Sequence, residues 1–426
     1  MESNTKYRIL KAWTNLCKVG LSLIFIFSGF IKANDPWGTY YKVEEYFKVF
    51  GLADCFPEFV PLFCAVLLGV FEFSVGIYLL FGIRRKFTAV VLLAFLAVMT
   101  PLTLYLAIAN PIAECGCFGD VVHLTNWETF GKNIIFLVGA VTLFKWPYLQ
   151  LQLISDKSRW LASIYTILFI FAVAGYSYTN LPVFDFSPYH IGANIQEGMR
   201  VPEGEKAPVY DMVYVMEREG VRKEFSVETY PDSTWTLVEA KSVLKEEGYN
   251  PPILDFPVTL NATGERITEQ LLEDDRYTFL LVSPWIGKAD EGYIDLINEI
   301  YDYSVEYGYP FYCVTASSDA EVEQWRERTG AEYPFCSSDE STLKTMVRSN
   351  PGLLLLRHGT VINKWSCSSL PDEYELKGPL DKLPLAHITP SSVTRKVAIV
   401  LAWFVIPFAL LVLVDRILVK RMKKEK

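Results

Sequence analysis

Two cysteines one residue apart, Cys115 and Cys117 in Glu-Cys-Gly-Cys-Phe-Gly-Asp, are the residues of this chain best suited to covalent chemistry. A disulfide between them closes a small ring away from preferred geometry. Strain makes such a bond easier to reduce, which suits exchange rather than bracing. Gly116 and Gly119 supply the backbone freedom so tight a loop needs. Separate structural disulfides, for instance to Cys55, and free thiols are the alternatives on spacing alone. A zinc site needs further Cys or His ligands, and His123 is the only nearby candidate, so no metal site is read here. Cys55 and Cys64 are candidates for a second pair that relays electrons, while Cys17 reads as an apolar packing residue. Glu72 falls near mid-depth of an apolar stretch, where an ionisable group is costly unless paired, neutral or hydrated. It has either a proton-linked or quinone-linked role beside the sulfurs, or an interhelical hydrogen bond that fixes a bundle. Lys32, at the end of the first apolar stretch, reads as a snorkelling anchor rather than its partner.

The elements that must position these groups are membrane helices. Apolar stretches near 12–31, 59–82, 87–109, 129–149, 160–178 and 396–415 approach the roughly 20 residues a spanning helix needs. The 129–149 stretch is the weakest, interrupted by Lys132 and Lys145. The first stretch lacks a small-residue cleavage site and reads as a retained signal anchor. Lys6, Arg8 and Lys11, then Arg84-Arg85-Lys86, then Lys157 and Arg159, and finally the Lys-rich C-terminus all fall on one side if six spans are real. That side is expected to be the cytoplasm. Arg395 and Lys396 fall on the other side, a modest exception. Loops 32–58 and 110–128 and the region 179–394 then lie outside, in a compartment where disulfides persist. The net charge of −9 over 426 residues gives no basic surface for nucleic acid.

The region between the fifth and sixth spans reads as a globular domain. Residues 179–208 read as a linker, Val209–Val227 as a hairpin turning at Arg218-Glu-Gly-Val, and Trp235–Glu247 as a short helix. Strands follow at Tyr277–Ser283, Phe311–Ala316, Gly352–Arg357 and Thr360–Trp365, with helices at Asp290–Tyr307 and Asp319–Arg328. This alternation with a terminal hairpin is an α/β layer arrangement. Cys313 lies in a strand and reads as core. Cys336 reads as a surface turn, and Cys336 and Cys367 are candidates for a structural bridge.

Two resemblances emerge. Asn110-Pro-Ile-Ala-Glu-Cys-Gly-Cys-Phe-Gly-Asp120 resembles the Cys-x-Cys-Phe-Gly motif of MauE (methylamine utilisation) membrane proteins. Gly20–Gly38 and Phe71–Gly82 look like helices of the related DoxX family. The resemblance covers roughly residues 10–150. It implies a four-helix membrane bundle associated with thiol-disulfide or electron-transfer chemistry; it does not imply methylamine as substrate. Residues 252–385 resemble a thioredoxin-like domain, with Ser349-Asn-Pro-Gly at the place of its cis-proline loop, so Pro351 is the candidate cis residue. The departure is at Ser283-Pro-Trp-Ile-Gly-Lys, where Trp285 marks the active-site position and the Cys-x-x-Cys is missing.

The fold class expected is therefore a membrane α-helical protein with an α/β extracytoplasmic domain. The expected organisation is a bundle over 1–150, a fifth span in 151–180, linker and hairpin in 181–250, a thioredoxin-like domain in 251–390, and a final span with a basic tail in 391–426. The expected function is that of a thiol-disulfide redox or electron-transfer component of the bacterial inner membrane, acting on periplasmic partner proteins. Cys115 and Cys117 would be the redox pair, and Trp285 and Pro351 the binding surface for a periplasmic protein partner. No cofactor is assigned; a membrane quinone as acceptor rests on analogy with other four-helix thiol oxidases. The alternative is a non-enzymatic assembly or maturation factor whose cysteines brace loops. A small-molecule transporter would need intramembrane polar sites beyond Glu72.

Overall fold

The computed structural model describes residues 2–112, 114–206, 209–218, 221–226, 235–246, 248–388 and 392–424. Among them, five helices are long and apolar enough to cross a membrane: α1 (Glu2–Asn34), α3 (Phe59–Phe81), α4 (Arg85–Ala109), α6 (Arg159–Thr179) and α12 (Val393–Lys424). The sequence count of six spans includes α5 (Asn126–Lys145), which falls short of that apolarity. It packs in the same bundle nonetheless, with Gly139, Ala140 and Leu143 buried and Leu21 of α1 against Gly139. Its interrupting Lys132 stands over the Phe118 ring at 4.4 Å, so that charge serves the cysteine loop rather than facing lipid.

Glycines set the tightest crossing. A Cβ on Gly29 of α1 would lie 2.2 Å from the backbone nitrogen of Phe73 in α3, and one on Gly76 would lie 2.6 Å from that of Ile26. Small residues let two backbones approach where lipid supplies no hydrophobic drive. This contact brings Lys32 and Glu72 to the same depth.

The loop expected over 32–58 contains a helix, α2 (Pro36–Val49), opened by Pro36 at its first turn and by Asp35, whose carboxylate accepts from Gly38 N. Helix α6 passes the chain to the α/β domain, and α12 returns beside α6 through stacked Tyr165, Phe404 and Phe408. Asp415 of α12 accepts from Ser155 N at 3.0 Å and Ser158 Oγ at 2.6 Å, tying the last helix to the loop before α6.

The α/β domain holds a six-stranded sheet. Its strands are β4 (Thr259–Leu260), β5 (Thr278–Ser283), β6 (Phe311–Thr315), β7 (Phe335–Ser337), β8 (Gly352–Arg357) and β9 (Thr360–Ser366), in the order β4-β7-β6-β5-β8-β9. β5, β6 and β7 are parallel, whereas β8 runs antiparallel to β5 and to β9. β5 is buried along its whole length, as a central strand covered on both faces must be. One face packs under α9 (Ile294–Tyr307) and α10 (Asp319–Thr329), around Phe279, Ile297, Ile300, Trp325 and Phe335. The other packs around Leu280, Val282, Leu354 and Leu356, with α8 (Thr268–Glu273) and α11 (Glu340–Met346). Ser318 caps α10 through a reciprocal box with Glu321.

Several expectations are corrected. The linker after α6 is part of the domain: its backbone pairs with β9 at Gly192 and Ala193, and Tyr189 and Ile195, the latter opening the short helix α7 (Ile195–Gly198), enter the core. Covering an edge strand removes a row of unpaired backbone groups. The hairpin is present as β1 (Val209–Arg218) and β2 (Val221–Ser226), its turn at 219–220 lying outside the described residues. The helix expected over Trp235–Glu247 is instead strand β3 (Thr236–Glu246), paired antiparallel to the free edge of β1. An open ladder next door overrides a weak helical pattern. Cys336 is buried in β7 rather than on a turn. It forms no bridge with Cys367, and both are free thiols.

Candidate functional site

The cysteine loop between α4 and α5 folds back over the bundle. Asn110 ends α4 in a left-handed conformation, and Gly116 and Gly119 take φ of +72° and +54°. Thr125 starts α5 with a capping box to Glu128. Within this frame Cys115 Sγ and Cys117 Sγ lie 3.1 Å apart as free thiols. Cys115 is buried in a small cluster with Leu106 and Ile112, with Tyr46 and Cys117 packed against it.

Below the loop sits the charge pair. Lys32 Nζ donates to Glu72 Oε2, to Ser28 Oγ and to the carbonyl of Cys117, each at 2.7 Å. Ser28 Oγ donates to the same carbonyl at 2.7 Å. All three ammonium protons therefore have acceptors, the condition under which a buried charge is tolerated. Lys32 and Glu72 side chains are 5% and 7% exposed. Glu72 therefore has a partner, and Lys32 is that partner rather than a snorkelling anchor.

This environment splits the two thiols. The hydrogen bond from Cys115 pulls the Cys117 thiol below the ordinary cysteine range, aided by the cations Lys132 and Lys32 against burial and the Glu72 charge. The same hydrogen bond, with burial, pushes Cys115 up. The two shifts leave Cys117 as the sulfur more readily ionised and Cys115 as its hydrogen-bond donor, a polarity that a nucleophilic thiol would need.

The α/β domain stands directly over this loop. Arg348, in the turn after α11, donates from Nε to Asp35 at 2.9 Å and from Nη2 to Asp120 at 2.5 Å. Next along the chain, the Asn350–Pro351 bond is cis, as the position of Pro351 predicts. Asn350 Nδ2 donates to the carbonyl of Trp285 at 2.9 Å, so Trp285 and Asn350 share one surface, with Pro351 itself buried behind it. That surface faces a cleft of about 510 Å³ between domain and bundle. Trp37, Tyr40, Tyr178 and Trp285 line it, with Ser349, Asn350 and Cys367.

Cys55 stands apart, exposed in a single 3-10 turn, while Cys64 is half-buried on α3. Among the described residues no disulfide or hydrogen bond joins them to each other or to Cys115 and Cys117. Sequence reading missed Ser28, Tyr46, Asp35, Asp120 and Arg348. The place of Arg348 one residue before the Ser-Asn-Pro turn was its only signal.

Membrane helices enclosing a buried ion pair and a dithiol loop, with an α/β domain seated on that loop, define a multi-pass membrane protein with a thiol-bearing bundle. Residues 10–145 match the family described as methylamine utilisation protein MauE, so α1 to α5 form a MauE-like membrane module. Residues 210–247 match a domain of unknown function, DUF8463, which coincides with the three-stranded sheet. No curated protein and no solved structure matches the chain.

Proposed function

We propose that this protein is the membrane component of a thiol-disulfide exchange system, with Cys115 and Cys117 as the exchanging pair. The observation that carries the reading is the polarised dithiol: two sulfurs 3.1 Å apart, the Cys117 thiol pulled down beside Lys132 and Lys32. In the reducing direction the Cys117 thiolate attacks a disulfide of a partner protein. A Cys117–partner bond forms and the partner's other sulfur leaves as a thiolate. Cys115, losing its proton, then attacks the Cys117 sulfur. The intramolecular disulfide closes, the partner's second thiolate leaves, and two electrons have passed to the partner. Oxidation of a partner dithiol runs through the same mixed disulfide in reverse.

The α/β domain is read as thioredoxin-like, supported by strand order, the cis bond before β8 and the position of Trp285 after β5. Its turn Ile286–Lys288 carries no cysteine, so the domain is assigned to binding rather than exchange. The charge pattern supports cytoplasmic termini and a periplasmic domain in a bacterial inner membrane. The family name supports a membrane accessory role in methylamine utilisation. A second reading, a non-enzymatic maturation factor, is favoured by that cysteine-free turn alone.

Differential thiol trapping of membranes carrying the full chain separates the two. Cys115 and Cys117 are expected to shift reversibly between thiol and disulfide at a potential above that of structural bridges. Cys115→Ser and Cys117→Ser are expected to insert normally and to lose exchange with partner disulfides. Normal exchange in both variants would replace this reading with the maturation factor.

A further inference from the structure

Among the described residues, every ion pair between the α/β domain and the bundle has the same polarity: cations on the domain, carboxylates on the bundle. Arg348 meets Asp35 and Asp120, Lys344 meets Glu44 at 3.5 Å, and Lys288 meets Glu58 at 2.8 Å. Between domain and dithiol lies α2, a plate with two occupied faces. Toward the loop, the Lys42 stem lies over Gly116, where a Cβ would sit 2.7 Å from Lys42 Cγ, and Tyr46 OH donates to the carbonyl of Cys115 at 3.2 Å. Toward the domain, the Tyr41 ring meets Trp285 edge-on at 6.0 Å, with Lys344 4.9 Å and Arg348 6.0 Å from its centroid. The Cys115–Gly116 stretch of the dithiol loop is therefore roofed by α2, with Cys117 half-buried beside it, and the domain holds the roof in place.

Arg348 is the centre of this arrangement. Its side chain is 8% exposed, and it joins the start of α2 through Asp35 to the end of the cysteine loop through Asp120. Asp120 is three residues beyond Cys117, and Ser349 and Asn350 beside Arg348 line the cleft. A polar, charge-assisted contact of this kind is strong when closed yet separable, unlike a fused apolar core.

We propose that the docked α/β domain gates the dithiol, with Arg348 as the positioning residue that holds α2 closed over Cys115 and Cys117. Release of Arg348 from Asp35 and Asp120 lets α2 lift and opens the sulfurs to a partner. A protein entering the cleft against Ser349 and Asn350 presses on the segment that carries Arg348, so binding and exposure are linked. This inference adds a regulated entrance to the exchange reading. Its test measures accessibility of the thiols, whatever they go on to do.

Full-length protein in reduced membranes is labelled with a maleimide, and the rate at each cysteine is read by mass. Cys336, buried in the sheet of the α/β domain, reports on unfolding. Arg348→Gln and Asp120→Asn are each expected to label Cys115 and Cys117 roughly tenfold faster or more, the range set by losing a charge-assisted hydrogen bond. Arg348→Lys is expected to stay nearer the unaltered protein, and Cys336 to remain slow throughout. Unaltered protein should also label faster at Cys117 as salt rises, through screening of Lys288 and Glu58 at the rim. Salt-independent rates in the unaltered protein, together with unchanged labelling in Asp120→Asn, would overturn the gate. Equal acceleration at Cys336 would overturn it too, by assigning the effect to unfolding.

Discussion

Glu72→Gln isolates what the buried pair contributes. The substitution keeps shape and leaves the Lys32 ammonium buried without its counter-charge. Breaking such a pair from one side costs about 3–5 kcal/mol, because the remaining charge is uncompensated. Here Ser28 Oγ and the Cys117 carbonyl still accept from Lys32, so the lower end, about 3 kcal/mol, is expected. Lys32→Met leaves Glu72 alone and is expected to cost about as much. The double variant Lys32→Met, Glu72→Gln removes both charges and should recover most of that loss, giving a coupling of about 5 kcal/mol. The assay is unfolding in mixed micelles of increasing anionic detergent, combined with maleimide labelling at Cys117. Stability should return in the double variant while labelling stays fast, because the Cys117 carbonyl has lost its Lys32 donor. Additive losses in the cycle would refute the ion-pair reasoning. Restored slow labelling in the double variant would show that Lys32 does not position the cysteine loop.

Two further outcomes follow from packing and charge. Gly29→Ala places a methyl 2.2 Å from the Phe73 backbone, so α1 and α3 must part. A loss of at least the ~1–3 kcal/mol typical of overpacking is expected in the same micelle assay, with faster labelling at Cys117, whereas Gly131→Ala, with open space around it, should be silent. The depressed Cys117 thiol sets the sign of a pH profile: it stays ionised below the ordinary cysteine value of about 8.5 and is protonated only as pH falls through its own lower value. Alkylation of Cys117 in the gate-open Asp120→Asn variant should therefore persist to lower pH than alkylation of free N-acetylcysteine under the same conditions. Parallel profiles for the two would refute the polarisation.

Much of the chain is legible locally. Span length and apolarity are sums over neighbouring residues, so α1, α3, α4, α6 and α12 stand out unaided. The Cys-Gly-Cys loop, strands β5, β6, β8 and β9 and the turn before β8 are equally short-range patterns, and the structure keeps them where the sequence puts them, whereas the three-residue β7 is too short to show locally. β3 is not legible locally because its pairing with β1 is a tertiary choice that its own residues express weakly.

What the sequence alone determined is the set of parts: membrane helices, a dithiol loop, an ionisable residue at mid-depth and an α/β domain lacking its own dithiol. The tertiary structure decided how they act on one another. Lys32 and Glu72 are 40 residues apart, Arg348 and Asp120 are 228 apart, and Arg348 and Asp35 are 313 apart. No periodicity or spacing carries a contact across such distances. Each exists because helix crossings at glycine and the seating of a whole domain bring opposite charges together where water is excluded, and there pairing is the condition for burial.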